Sequence, residues 1–214
     1  MRKGLVVALV LVLALYVGAE VAAKSFAEKT LAKNAAFNDP VANEADAEVS
    51  SPLLWDLFTK NIIKRIEVST TNVDIGPFIA DRAEAILTGV HINREASFRE
   101  SEPIVSKIDL LQMSLTLSQE EVSKILPQGF SFRFQSGTAS FKGPGGFSLK
   151  GSFEVRGANG VAFVPRTKLP GGFSAPAFEL GDIPFVSCIR DIRLEAGKAT
   201  ITCSHRNAPP IFPP

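Results

Sequence analysis

The first apolar positions of the chain show no period at all. Residues 4–19 (GLVVALVLVLALYVGA) carry no charge, follow the basic start Met1-Arg2-Lys3, and run into Glu20. Such a run leaves water for a bilayer because its side chains gain transfer free energy and a helical backbone satisfies its own polar groups. Its sixteen residues fall short of the roughly 20 that cross a hydrocarbon core, and extension through Val21-Ala22-Ala23 brings it close. Two outcomes stay open. Val17-Gly18-Ala19 and Val21-Ala22-Ala23 both have the small-x-small form of a signal-peptide cleavage site; left uncleaved, the segment is a signal anchor with its basic end inside. Residues 22–36 (AAKSFAEKTLAKNAA) continue as helix, rich in Ala, Lys and Glu without Gly or Pro, and Phe37-Asn38-Asp39-Pro40 stops them.

Further on, the pattern becomes periodic. Residues 41–51 are acidic and polar and predict an exposed loop. Ser51-Pro52 offers an N-cap and a proline at the first helical position. Residues 53–64 (LLWDLFTKNIIK) then place apolar groups at 54, 57, 58 and 62, with Asp56, Lys60 and Lys64 on the polar face of an amphipathic helix. Residues 66–73 turn to strand chemistry. Gly76-Pro77 opens a second short helix over 78–87, with Phe78, Ile79, Ala83, Ile86 and Leu87 inward and Gly89 closing it. From Val90 the period is two: 90–98, 104–117, 130–135, 137–141, 147–155 and 161–164 read as strands. That spacing puts Phe130, Phe132 and Phe134 on one face, bordering the apolar interior. A helix over 118–126 interrupts the strands, opened by the capping box of Ser118 and Glu121 and ended by Pro127. Gly143-Pro144-Gly145-Gly146 and Gly157-Ala158-Asn159-Gly160 are turns. Residues 184–194 and 198–204 form a hairpin through Gly197.

These elements predict an α+β chain with a membrane helix or signal peptide over 1–23, one β-rich domain over 24–206 and a proline-rich tail over 207–214. Without its N-terminal segment the chain keeps about 190 residues, enough for a sizeable core. Removing Arg2, Lys3 and Glu20 from the 23 basic and 22 acidic residues leaves 21 of each. A nucleic-acid binder carries a basic excess, so that class is set aside. Counting back from the hairpin turn brings Cys188 and Cys203 opposite each other or within one or two residues of it. This fits one disulfide in an exported protein, with a pair of buried thiols as the alternative. Sixteen Phe against one Trp and one Tyr supply apolar volume that asks for no hydrogen bond. That volume is either core or the wall of a cavity for an apolar ligand.

Catalytic chemistry is sparse in the sequence. His91 and His205 are isolated, no G-x-S-x-G elbow occurs, and the glycine-rich 143–146 segment lacks the Lys-Ser/Thr of a phosphate loop. Glu120-Glu121 sits at a helix N-terminus, where acids favour the dipole. No Cys or His pair has metal-ligand spacing, and no cofactor is called for. Lys60, Lys64 and Arg65 beside Leu54, Trp55 and Phe58 form either a solvated helix face or an interfacial foot whose cations meet anionic lipid.

One family shares this order of pieces: a basic start and apolar segment, an Ala-rich helix, Val73-Asp74-Ile75-Gly76-Pro77-Phe78-Ile79, the strand Val90-His91-Ile92, the helix opening Leu117-Ser118-Gln119-Glu120-Glu121-Val122, and Gly181-Asp182-Ile183-Pro184-Phe185 before a terminal hairpin. Over nearly its whole length the chain resembles the LmeA-like phospholipid-binding proteins of the actinobacterial cell envelope. It departs from them in the acidic 41–51 segment, in a longer Trp55 helix, and in Ile79 where the family usually has Leu. The resemblance implies an elongated, strongly curved antiparallel sheet or barrel with flanking helices around an apolar lipid tunnel. It also implies a non-enzymatic role in maintaining envelope lipids or lipoglycans, outside the cytoplasm. As short amphipathic helices beside a β architecture, the Trp55 and Phe78 segments are expected to flank the mouth of such a cavity with Trp55, Phe58, Phe78 and Ile79. The spacing of two puts Phe130, Phe132 and Phe134 along its apolar interior, and Lys60 and Lys64 meet a phosphate as point charges with little headgroup selectivity. The expected partners are phospholipid and the membrane surface. Two other classes compete: a membrane-anchored scaffold that docks an envelope enzyme, and a hydrolase acting on lipid or glycan. A continuous apolar tunnel favours lipid binding, a filled core favours the scaffold, and a histidine cluster in a cleft favours the hydrolase.

Overall fold

The computed structural model describes residues 2–37, 45–50, 52–75, 78–100, 104–157, 160–167, 176–179 and 189–208; the side chains of 2–11, 33–37, 178 and 179 lie outside that description. The chain runs α1 (Arg2–Phe37), β1 (Ala45–Val49), α2 (Leu53–Lys60), β2 (Ile62–Asp74), β3 (Ile79–Ile92), α3 (Arg94–Glu100), β4 (Val105–Ser118), α4 (Gln119–Lys124), β5 (Ser131–Gln135), β6 (Thr138–Lys142), β7 (Ser148–Arg156), β8 (Gly160–Pro165), β9 (Ala177–Glu179), β10 (Ile189–Glu195) and β11 (Lys198–Ala208). Two antiparallel sheets result, ordered β1-β2-β3-β4-β11-β10 and β5-β6-β7-β8-β9. The α+β class stands. Among the described residues neither sheet closes into a barrel.

Glu20, Lys24, Glu28 and Lys29 interrupt the apolar run of α1. Among the described residues no helix is long and apolar enough to cross a membrane. The expected membrane-spanning helix finds no support there. What α1 does is pack its later turns on the domain, with Leu31 against the core and the Glu28 carboxylate accepting the Val49 N–H at 3.0 Å.

Several local expectations change. The acidic 41–51 segment is not a loop throughout: Ala45–Val49 pairs with β2, Val49 opposite Ile66. The Trp55 helix stops at Lys60 because Asn61 turns left-handed (φ 57°), a conformation Asn tolerates. Residues 79–92 are strand β3, not a helix, and are paired along their length with β2 and β4. The Ala, Ile and Leu that suggested helix form a central strand whose ladders on both sides outweigh propensity. Gly89 consequently caps no helix. It sits within β3 at φ +63°, beneath the Asp109 side chain. The strand expected over 90–98 ends at Ile92, where Asn93 Oδ1 accepts the Ala96 N–H at 3.1 Å and starts α3.

Other expectations hold. Ser118 Oγ accepts the Glu121 N–H at 3.2 Å and caps α4. The terminal hairpin pairs Glu195 with Lys198, and Gly197 takes φ +77° in its turn. Cys203 lies opposite Ile189 and is not a free thiol; Cys188, and with it the expected pairing, lies outside the described residues. Strand β11 takes in Asn207 and Ala208, the first residues of the expected tail.

The six-stranded sheet carries two apolar clusters. At one end Ile66, Leu87, Val90, Ile108, Leu111 and Ala208 gather beside α1. At the other, Ile75, Phe78, Leu115, Leu117 and Ile201 meet the five-stranded sheet through Phe132, Phe134, Phe141, Phe153 and Phe163. Helix α4 fastens that second sheet. Ser123 Oγ accepts the Phe132 N–H at 2.9 Å and Gln119 Oε1 the Phe134 N–H at 3.2 Å, so the outer edge of β5 is hydrogen-bonded by side chains.

Candidate functional site

The residues expected to border one tunnel separate into two groups. Asp74 pairs with Ile79 at one end of the β2–β3 hairpin and Ile62 with His91 at the other. At about 3.3 Å per residue, about 40 Å of strand separates these ends along the hairpin. Phe78 and Ile79 belong to the first end, and Trp55 and Phe58 of α2 to the second. They do not flank a common mouth, because the chain between them advances as strand instead of coiling as helix.

At the first end the phenylalanines fill space. Phe132 and Phe134 are buried on one face of β5, as their spacing predicts, and Phe130 packs partly buried against the same cluster. The Phe132 ring centroid lies 5.0 Å from that of Phe153, 5.4 Å from Phe141 and 5.5 Å from Phe163, and Phe130 stacks on Phe141 at 5.3 Å. These are the separations of aromatic groups in direct contact, with no width between them for an acyl chain. Phe78 is 2% exposed within the cluster and Ile79 is 38% exposed beside it. Two open depressions among the described residues have mixed polar and apolar walls, which include Phe153 in the first and Phe132 in the second. One, of about 430 Å³, runs between Ser136, Ser152, Asp191, Arg193 and Glu195. The other is lined by Gln119, Glu120, Arg133 and Lys142.

At the second end aromatic side chains face outward. Trp55 is 57% exposed, Phe58 72% and Phe98 84%. Arg94 ties α3 to the Phe58 side of α2: its guanidinium donates to the Leu57 carbonyl and lies 5.9 Å from the centre of the Phe58 ring, a cation–π distance. Phe98 stands one turn further along α3. The Ile92 N–H donates to the Asn61 carbonyl at 2.8 Å, so the end of α2 and the start of α3 are fixed to each other.

The first turn of α2 has a partner that local sequence does not reveal. Pro52 occupies the N-cap and gives no side-chain cap. The orphan amides are taken by Glu20, whose two carboxylate oxygens accept the Leu53 N–H and, at 2.8 Å, the Leu54 N–H. An acid there also meets the positive end of the helix dipole. Upstream of Glu20, Val12, Leu13, Leu15, Tyr16 and Val17 of α1 are exposed. The exposed apolar turns of α1 therefore end at the carboxylate that holds the first turn of α2.

Lys60 and Lys64 do not stand free for a phosphate. Lys64 Nζ lies 3.0 Å from Asp56 Oδ2 and Lys60 Nζ 4.0 Å from Oδ1. Asp56, expected on the solvent side, is buried. The Lys64 contact is an ion pair without hydrogen-bond geometry, and with both lysines near one carboxylate the group keeps a single net positive charge.

His91 joins an exposed cluster at the same end: its Nε2 is 3.1 Å from Asp109 Oδ2, and Lys107 Nζ is 2.7 Å from Oδ1. The Lys107 hydrogen bond, and then that of His91, holds the Asp109 carboxyl below the usual carboxylate range. This cluster lines neither depression. Among the described residues no group of three His, Cys, Asp or Glu could hold a metal ion. Sequence reasoning missed Glu20, Arg94 and Phe98. For α3 the signal was present in Asn93, an N-cap residue type opening Arg94-Glu95-Ala96-Ser97. For Glu20 none was, since its partner is 33 residues away.

No family model, no curated protein and no solved structure matches the chain.

Proposed function

We propose that this protein is a non-enzymatic binding domain of the cell envelope, held at a membrane outside the cytoplasm by its N-terminal helix, which meets phospholipid at its surface. The observation carrying this reading is the exposed apolar face of α1, joined through Glu20 to the start of α2. Large exposed apolar patches mark membrane or protein contacts, and the basic start before the uncharged run orients such a segment with its N-terminus inside. The resemblance to LmeA-like proteins supports phospholipid as the ligand class. The tunnel that resemblance implies is set aside in favour of surface contact, because phenylalanine rings occupy the interior between the sheets.

That filled interior also favours a second reading, in which the sheets dock an envelope enzyme while α1 anchors the whole. One fractionation tests what the two share. The full chain should stay with membranes through an alkaline carbonate wash and float with vesicles once reconstituted. Leu13→Glu with Val17→Glu should release it. Full-length, uncleaved protein in the soluble fraction would refute membrane attachment. If it is attached, detergent-free native mass spectrometry after release into phospholipid nanodiscs distinguishes lipid-bound from lipid-free domain.

A further inference from the structure

We infer that Trp55, Phe58 and Phe98 form a rigid foot that inserts into the interfacial layer of a phospholipid bilayer and sets the standing height of the domain. This deepens the proposal above and rests on its membrane attachment. The foot is built from two short helices that share no sequence pattern, and Arg94 unites them by holding the Leu57 carbonyl and the Phe58 ring.

Its height follows from Glu20. That residue is the first charge after sixteen uncharged positions, so a bilayer that takes up residues 4–19 ends its hydrocarbon layer there. The same carboxylate holds the first turn of α2. Trp55 and Phe58 follow within that turn and the next, which rise only about 1.5 Å per residue. The aromatic groups thus sit at headgroup level, where Trp and other rings with a dry side and a wet side are favoured. A lipid surface is the occupant because the exposed apolar turns of α1 end at Glu20, the residue that holds the first turn of α2.

Charge adds little selectivity. Lys60 and Lys64 against Asp56 leave one net positive charge, and in α3 Arg94 and Arg99 balance Glu95 and Glu100. One cation near an anionic leaflet is worth about 1 kcal/mol, or about fivefold in affinity. Aromatic insertion, not headgroup attraction, is the main contact.

Trp55 is the single tryptophan of the chain and reports on its own surroundings. The full chain is reconstituted into phosphatidylcholine vesicles with or without bromine at shallow acyl positions. Trp55 emission should shift to the blue, and shallow bromine should quench at least half of it. In Phe58→Ser with Phe98→Ser, both exposed positions, quenching should fall at least twofold while the protein still floats with the vesicles. Including phosphatidylglycerol should change the wild-type signal by no more than about fivefold in the lipid needed for half effect. Three results overturn the foot. Protein that floats while Trp55 emits as in water would leave membrane attachment intact and remove the foot. Blue-shifted but unquenched emission would mean that protein, not lipid, covers the patch. Protein that does not float would remove the attachment on which the foot depends.

Discussion

Replacing Glu20 with Ala removes both acceptors at the start of α2. Losing a capping side chain costs about 1 kcal/mol and up to about 2, and the charge–dipole attraction contributes about 0.3–1 kcal/mol. Leu53 is buried, so its amide would be left without partner or water, at about 1–3 kcal/mol. These contributions overlap, and the expected loss is about 2–3 kcal/mol. An eight-residue helix has almost no stability of its own, so the loss should first appear as fraying of α2. Hydrogen exchange read at Leu53, Leu54 and Asp56 should accelerate by about 30- to 150-fold, the factor that 2–3 kcal/mol corresponds to. If α2 unfolds together with the domain, Tm should fall by about 4–12 °C. Glu20→Gln keeps one neutral acceptor and should lose about half as much. Wild-type exchange at Leu53 and Leu54 in the Ala variant would refute the cap.

Three further outcomes are expected. Cys188 and Cys203 should be disulfide-bonded in the exported protein, closing a loop of about 15 residues worth about 3 kcal/mol; thiol labelling of the denatured, unreduced chain should find none, and two labelled thiols would sink the pairing. Phe132→Ala should destabilise by about 3–5 kcal/mol in urea unfolding, as truncation in a packed core does, whereas a loss under about 1 kcal/mol would indicate open space around that ring. Glu121 accepts a hydrogen bond from Lys124 and one from the Ile79 N–H, and the Lys124 bond chiefly holds its carboxyl below the usual range. With the folded value depressed, its stabilisation is full above the ordinary carboxylate range and lost as pH falls through the depressed value. Glu121→Gln should therefore flatten the acid limb of Tm against pH, and parallel curves for the two proteins would count against it.

Sequence was most informative where one physical signal acted alone. Residues 111–117 alternate because Leu111, Leu115 and Leu117 are buried on one face of β4, and Ser118 with Glu121 announces α4 through bonds closed within four residues. Residues 79–92 misled because a central strand, paired on both sides, has partly buried positions on both faces. Its alternation is blurred, and Ala80, Ala83 and Ala85 add helical propensity. The Trp55 helix was legible from its apolar spacing, but not its length, which Asn61 sets by a backbone angle. Of the expected lining residues, Phe132 and Phe134 share the buried face of β5, with Phe130 just before the strand and packed against the same cluster. A spacing of two specifies a shared side, however, and whether that side meets a ligand or other rings depends on Phe141, Phe153 and Phe163 from strands further along the chain. Arg94 and Glu20 were out of reach because each acts on another element, across a distance in sequence that no local pattern encodes.

Strands β2, β3 and β4, of 13, 14 and 14 residues, run through both apolar clusters without a break between them. A one-residue slip along the whole of any of these ladders would turn its side chains to the opposite face at both ends together, and the register shift between His91 and Ile92 falls at the last pairs of β3 with β4. The sheet thus behaves as a girder. A load applied near α2 and α3 is borne by hydrogen bonds in shear along the strands, not by opening them one at a time, and the five-stranded sheet rides on the far end as fixed cargo.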